Sequence, residues 1–284
     1  MILVLGATGN VGGEVAKRLT LAGVKYRAAF HTADKAGKAR MVGLEPVVVD
    51  LANRETLRPA LAGVEKLFLA SPAGPQLPEY EGNAIEEAKQ AGVKHVVKLS
   101  VLNAPAKAYT YARWHRASEE QLEASGIAFT HLRANIFMQN LVNSFAGAIR
   151  SQGAFSLPAG DARVSQVDVR DVGGAVARVL RDKGHEGKAY ELTGPEALTF
   201  AECAAKLAAV LGKPVTFNDV EPEEFKVGLT SHGMPEIAAD AFIDLLTCCK
   251  TGAGALVTTH VEQVGKRSPT SFERFSQDYV TAFR

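Results

Sequence analysis

The chain has 284 residues, 46% hydrophobic and 22% charged, an ordinary balance for a globular protein with room for one large α/β domain or two small ones. Lysine and arginine together number 32 against 31 acidic residues, so no global charge excess points to nucleic acid or to an anionic membrane. No apolar stretch reaches the ~20 residues of a membrane helix. The cysteines Cys203, Cys248 and Cys249 show neither CxxC nor metal-ligand spacing, which predicts free thiols in a reducing compartment and no metal. With no secretory signal ahead of the first apolar run, the expected location is the cytoplasm.

In chain order, residues 2–5 form a buried-strand run and 11–21 have helical spacing. Strands follow at 26–30, 46–49, 67–70, 95–99 and 128–132, with helices over 79–90 and 112–125 between the later ones. Short, uniformly apolar strands separated by helices predict a parallel sheet covered on both faces. Beyond residue 135 the pattern loosens. Residues 175–180, 200–211 and 237–249 look helical, 189–192 and 215–217 strand-like, and 156–161 and 251–255 loop-rich. The expected fold is α/β: a Rossmann-type doubly wound parallel sheet over 1–134, with segments returning from the second half. A smaller, mostly helical α+β substrate lobe over 135–284 closes a cleft at the carboxyl ends of the strands.

Gly6-Ala7-Thr8-Gly9-Asn10-Val11-Gly12 joins the first strand to the first helix. Glycines there permit a tight turn and close approach of backbone to a pyrophosphate, which meets the free N–H groups and the dipole of the helix. With a strand before it and a helix after it, this loop predicts dinucleotide binding through Gly6, Thr8, Gly9, Asn10, Val11 and Gly12. An NAD site places a carboxylate at the end of the second strand for the ribose 2′-hydroxyl. Here that stretch reads Ala29-Phe30-His31-Thr32, with no carboxylate before Asp34, while His31, Lys35 and Lys38 offer cations to a 2′-phosphate. The expected cofactor is therefore NADP(H). Asp50-Leu51, after the third strand, either frames adenine or caps the helix near Asn53. Ala70, Ser71 and Pro72, after the fourth strand, lie where the nicotinamide half passes, and Pro72, Pro75 and Pro78 stiffen that segment.

Ser100 closes the fifth strand, and Tyr109 and Tyr111 follow. This order resembles the short-chain dehydrogenases/reductases, in which a serine polarises the substrate carbonyl and a lysine four residues after a tyrosine lowers its pKa. Tyr109 is followed at that spacing by Arg113 and Tyr111 by His115, and no YxxxK occurs. The GxxGxxG spacing, HxxxE at His115 and Glu119, SGIxxTxLR from Ser125 to Arg133, and NxFMxN from Asn135 to Asn140 resemble the NmrA-like branch of that superfamily. The runs Val167-Asp168-Val169-Arg170-Asp171-Val172 and Ser268-Pro269-Thr270-Ser271-Phe272-Glu273 extend the likeness over almost the whole chain.

The resemblance implies an NADPH-dependent oxidoreductase passing hydride to a quinone or similar conjugated electrophile, positioned by the protein more than acid–base catalysed by it. Tyr111, His115 and Ser100 are then the catalytic candidates, and Asn135, Phe137 and Gln139 shape the substrate pocket. The alternatives are a non-catalytic NADP(H)-binding redox sensor and a carbonyl, imine or ether reductase with Tyr111 as proton donor. His115 could equally be a core histidine bonded to Glu119, and Asp168 and Asp171 are expected as helix caps. The expected partner is a small-molecule electrophile, with no nucleic acid and no membrane, and related proteins occur as monomers or homodimers.

Overall fold

The central strands are short and alternate their side chains between two buried faces, as a parallel sheet covered by helices requires. The computed structural model describes residues 1–41 and 45–284, and the side chains of 38–41 lie outside that description. The first half runs β1 Ile2–Val4, α1 Asn10–Leu21, β2 Tyr26–Phe30, α2 Ala33–Met41, β3 Glu45–Val48, α3 Arg54–Leu61, β4 Lys66–Leu69, α4 Leu77–Gln90, β5 His95–Val101, α5 Thr110–Ala124 and β6 Ala128–Ala134. Then come α6 Ala146–Gln152, β7 Ala154–Leu157, α7 Val169–Arg181, β8 Lys188–Leu192, α8 Phe200–Leu211, β9 Thr216–Asp219, α9 Pro222–Ser231, α10 Glu236–Lys250, α11 His260–Gly265 and α12 Phe272–Asp278.

Seven strands form one sheet in the order β3-β2-β1-β4-β5-β6-β8, every pair parallel. The order reverses between β1 and β4, the kind of switch point at which connections leave to opposite faces and open a crevice outside the carboxyl ends of the strands. One face packs Val4, Ala28, Phe68, Val97, Leu132 and Leu192 against α1, α7 and α11. The other packs Leu3, Leu5, Leu67, Leu69 and Val96 against α3, α4 and α5. Each such leucine or phenylalanine contributes about 1.5–3 kcal/mol by leaving water, so the alternation fixes the register.

A second core gathers Leu141, Ile149, Phe155, Leu157, Phe200, Leu207, Leu246, Phe272 and Phe275 from the second half of the chain. Here the structure corrects one expectation. Residues 156–161 were expected as loop, but Ser156 and Leu157 belong to β7, which pairs in parallel with β9. Phe155 and Leu157, each 2% exposed, alternate inward around Ser156, a period-2 pattern too short to stand out along the chain. No helix among the described residues is long and apolar enough to cross a membrane.

Candidate active site

The glycine loop sits at the β1–β4 reversal. Gly6 adopts φ +66°, and a Cβ on it would lie 3.3 Å from the Ala70 carbonyl oxygen across the crevice. A Cβ on Gly12 would lie 2.1 Å from the Gly6 carbonyl, closer than any real contact, so only glycine fits where α1 leaves the loop. The Gly9 N–H closes the turn on the Gly6 carbonyl at 2.9 Å. Gly9 is the N-cap of α1 and brings no side-chain acceptor, and the first turn carries no acid, which leaves the leading N–H groups for an anion. Thr8, Gly9 and Asn10 are exposed, while Val11 is buried and anchors the helix beneath. The loop thus has the form a dinucleotide pyrophosphate needs.

On the far side of β1, His31 and Lys35 are exposed at the end of β2 and the start of α2, whereas the Lys38 side chain lies outside the described residues. Asp50 does not cap α3. That role belongs to Asn53, whose side chain accepts the Glu55 N–H at 3.0 Å, while an Asp50 carboxylate oxygen accepts the Ala52 N–H at 3.0 Å. The Leu51 carbonyl accepts from the Asn83 amide at 3.0 Å, tying this turn to α4.

After β4, Ala70 and Ser71 are half-buried and Pro72 is exposed. The Ser71 hydroxyl donates at 3.0 Å to Glu81 of α4, a carboxylate with no exposed surface. The other oxygen of Glu81 accepts from Ser118 of α5 and from the Lys98 ammonium of β5. Lys98 also donates to the Leu99 carbonyl at 3.2 Å and meets His115 Nδ1 at 3.3 Å. Burial, and then the Lys98 charge, hold the His115 imidazole well below its usual pKa, so the ring is neutral. The bond to Glu119 that would make His115 an ordinary core histidine is not the one formed. The Glu119 carboxylate instead accepts from Arg133 at 2.9 Å on each oxygen and from Arg116 at 2.9 Å.

Ser100 lies two residues beyond Lys98 on the same face of β5 and is 1% exposed, its hydroxyl beside the Glu119 carboxylate, which it helps to keep ionised. Register places Ser100 beside Arg133, and Arg133 beside Glu191, to which it donates at 3.1 Å. Tyr111 turns elsewhere. Its hydroxyl reaches the Ala238 carbonyl of α10 at 3.4 Å, its ring meets Trp114 edge-on, and burial raises its pKa. Tyr109 is buried and donates to the Leu102 carbonyl at 2.6 Å. The N-terminus of α5 is held by Asp244 of α10, which accepts from the Thr110 N–H at 2.7 Å.

In the segment after β6, the Asn135 amide donates to the Ser165 hydroxyl at 2.8 Å and to the Gly254 carbonyl at 2.9 Å. The Gln139 amide bridges Asp168 at 2.8 Å and the Val169 N–H at 2.9 Å, and Asp168 caps α7 by accepting the Arg170 N–H at 2.7 Å. Their polar groups are therefore taken up by the protein's own chain, and Phe137 is half-buried between them. The intervening Ile136 and the following Asn140 border a small cavity of about 20 Å³ instead, with Leu141, Phe145, Leu157, Gln166, Phe200, Phe242 and Leu246. Leu141 and Phe145 belong to a π-helical turn, Leu141–Phe145, a local widening common at functional sites.

Sequence reasoning missed Lys98 and Glu81. A signal was present: a lysine inside the apolar run His95-Val96-Val97-Lys98-Leu99 of a parallel strand has no route to solvent and demands a buried carboxylate.

A sequence model of the NmrA-like family matches residues 1–274. The chain is 37% identical to the NAD(P)H azoreductase of Xenophilus azovorans over 284 residues, covering 100% of this chain and 99% of the relative. The structure of the NADPH-dependent quinone oxidoreductase of Escherichia coli in complex with NADPH superposes with a TM-score of 0.90 at 31% identity, covering 99% of this chain and 100% of that one. The triphenylmethane reductase of Citrobacter sp., complexed with NADP(H), superposes with a TM-score of 0.86 at 29% identity, covering 98% of each chain. Family match, full-length identity and shared architecture agree with the glycine loop at the sheet's reversal: the chain belongs to the NmrA-like family.

Proposed function

We propose that the protein is an NADPH-dependent oxidoreductase that reduces quinones, azo compounds or similar conjugated electrophiles by hydride transfer. The observation that carries this reading is the glycine loop built for a pyrophosphate, in a chain matching the azoreductase and the NADPH-bound quinone oxidoreductase over nearly their full lengths. Gly6, Thr8, Gly9, Asn10, Val11 and Gly12 hold the pyrophosphate, His31 and Lys35 face the 2′-phosphate, and Asp50 and Leu51 frame the adenine. Ala70, Ser71 and Pro72 border the nicotinamide. When bound, the cofactor supplies the hydride.

This chain's own residues then position the acceptor. Ser100 offers a buried hydroxyl and His115 a neutral imidazole. Asn135 and Gln139 brace the segment that carries Phe137, Ile136 and Asn140 toward the acceptor. The phenol of Tyr111 takes no part in proton transfer, because it is turned to α10 and no cation lowers its pKa.

The test is to follow NADPH absorbance with purified protein, a panel of quinones and an azo dye, with NADH in parallel. Rapid oxidation with NADPH and slower oxidation with NADH is the expected result. Tight NADPH binding without oxidation of any acceptor would mark a redox sensor and overturn the reading.

A further inference from the structure

Four elements converge on one buried cluster that hydride transfer does not itself require. Glu81 of α4, Lys98 of β5 and Ser118 of α5 have no exposed surface, and Ser71 after β4 and His115 of α5 close the cluster toward the crevice. A buried ion pair is commonly no more stable than an apolar pair of the same volume, so stability alone does not account for it. Its geometry does impose one thing. An ammonium has three N–H bonds and no lone pair, so at 3.3 Å from Lys98 Nζ the Nδ1 of His115 is the acceptor. A neutral imidazole accepting at Nδ1 carries its proton on Nε2. No described residue engages that Nε2–H, and His115 keeps 8% of its surface open.

We propose that Glu81, Lys98 and His115 form a proton relay, in which the Nε2–H of His115 protonates the reduced acceptor and Lys98, held by Glu81, fixes the tautomer and replaces the proton at Nδ1. The inference rests on the reductase reading above. Hydride addition leaves the acceptor as an anion. The His115 Nε2–H bond breaks as the new O–H or N–H bond of the product forms, while one N–H bond of the Lys98 ammonium breaks and an Nδ1–H bond forms. The ring ends neutral in the other tautomer and Lys98 ends as an amine beside the Glu81 carboxylate. A solvent proton taken up at Nε2 after product release reverses both shifts, so one proton enters per hydride. His115 is the catalytic residue, and Lys98 and Glu81 are positioning residues. Other charged or titratable groups bordering the ring are Glu119 on its own helix and, through Glu119, Arg133 and His131 of β6. The lysine that would follow a tyrosine by four residues on α5 is thus replaced by a lysine approaching from the sheet.

Two measurements on the full-length protein test this. Nitrogen-15 histidine NMR without cofactor is expected to show His115 as the Nε2–H tautomer, and to show that preference lost in the double variant K98M/E81L, which removes both charges together and so avoids an orphaned ion. An Nδ1–H tautomer in the unmodified protein would overturn the relay. In turnover with NADPH and 1,4-benzoquinone, kcat is expected to fall roughly 10- to 100-fold in K98M/E81L and in His115→Phe, with KM for NADPH within about twofold and the solvent deuterium isotope effect of the unmodified protein abolished in both. A folded K98M/E81L protein whose kcat stays within about twofold would overturn the relay while the reductase reading stands. An unmodified protein that binds NADPH but reduces neither quinones nor azo dyes would sink both.

Discussion

The two faces of the central sheet are built from the same strands and differ in what they bury. The face under α1, α7 and α11 is an extended apolar layer, and near its amino-terminal edge His95 meets Thr130 at 2.9 Å. The face under α4 and α5 begins the same way with Leu67, Leu69 and Val96, then gives over its carboxyl-terminal third to Lys98, Ser100, His131 and Arg133, met from the helices by Glu81, His115 and Glu119. Charge withdrawn from water costs several kcal/mol per ion unless paired, and here each buried ion has its partner. The apolar face holds the sheet against the helix that follows the glycine loop. The polar face holds paired charges and a neutral imidazole next to the segment after β4.

The largest effect expected from either face comes from the glycine loop on the apolar side. Gly12→Ala puts a methyl carbon 2.1 Å from the Gly6 carbonyl, and neither backbone can yield without moving α1 away from β1. NADPH affinity by fluorescence titration should fall by more than ~100-fold, with a lower thermal midpoint, since an overpacked backbone contact has no cheap relaxation. A variant binding NADPH within tenfold of the parent would show that the loop is less tightly fitted than its geometry states.

Next in size is the ion pair on the opposite face. Lys98→Met alone leaves the Glu81 carboxylate buried without its cation, and should destabilise the fold by about 3–5 kcal/mol in chemical denaturation. The double variant K98M/E81L should recover most of that loss, because two apolar chains replace two paired charges. If the single and double variants were equally unstable, the cluster would be a packing element rather than an electrostatic one.

The pH dependence samples both faces at once. His95 on the apolar face and His131 on the polar one are each pulled from 6.5 to about 4, in both cases chiefly by burial. Between those values the unfolded chain binds protons that the folded chain refuses, so stability is full above pH 6.5 and is lost as pH falls toward 4. The slope is at most about 1.4 kcal/mol per pH unit for each histidine. Burial would raise Glu119, but the Arg133 hydrogen bonds and the nearby His131 prevail and hold it at about 2, against 4.5 for an ordinary glutamate. Its contribution is present above about pH 4.5 and disappears as pH falls through 2, extending the acid sensitivity downward. His131→Phe should remove one histidine's share of the upper slope, and an unchanged slope would mean that His131 titrates alike in both states.

How much of this could be read along the chain depends on whether the constraint is local. Gly6, Gly9 and Gly12 announce themselves because a turn and a close backbone approach are settled within seven residues. The strands of the first half are legible because uniform apolar runs have one interpretation in a parallel sheet. Lys98 and Glu81 stand 17 residues apart on different elements, and which carboxylate meets a buried lysine is decided by helix packing. The same holds for β7, whose partner β9 lies about sixty residues downstream, and for Asn135 and Gln139, whose amides found backbone partners at Gly254 and Val169. Residue type indicated a polar role there, and the fold supplied these partners.

The smallest expected effect separates the two faces' chemistry from that of a tyrosine-dependent reductase. Tyr111→Phe removes a hydroxyl whose only partner among the described residues is the Ala238 carbonyl at 3.4 Å, a long and weak bond, and keeps the ring that packs edge-on against Trp114. Stability should change by less than about 0.5 kcal/mol and quinone turnover by less than about twofold. The same variant assayed with a simple ketone sharpens the point. If ketone reduction is present in the parent and lost in the variant, the phenol swings from α10 into the cleft during turnover and Tyr111 becomes the proton donor for that substrate class. If neither activity moves, proton supply belongs to the buried cluster on the α5 face, and the substitution of His115 for the usual lysine records a transfer of that task from the helix to the sheet.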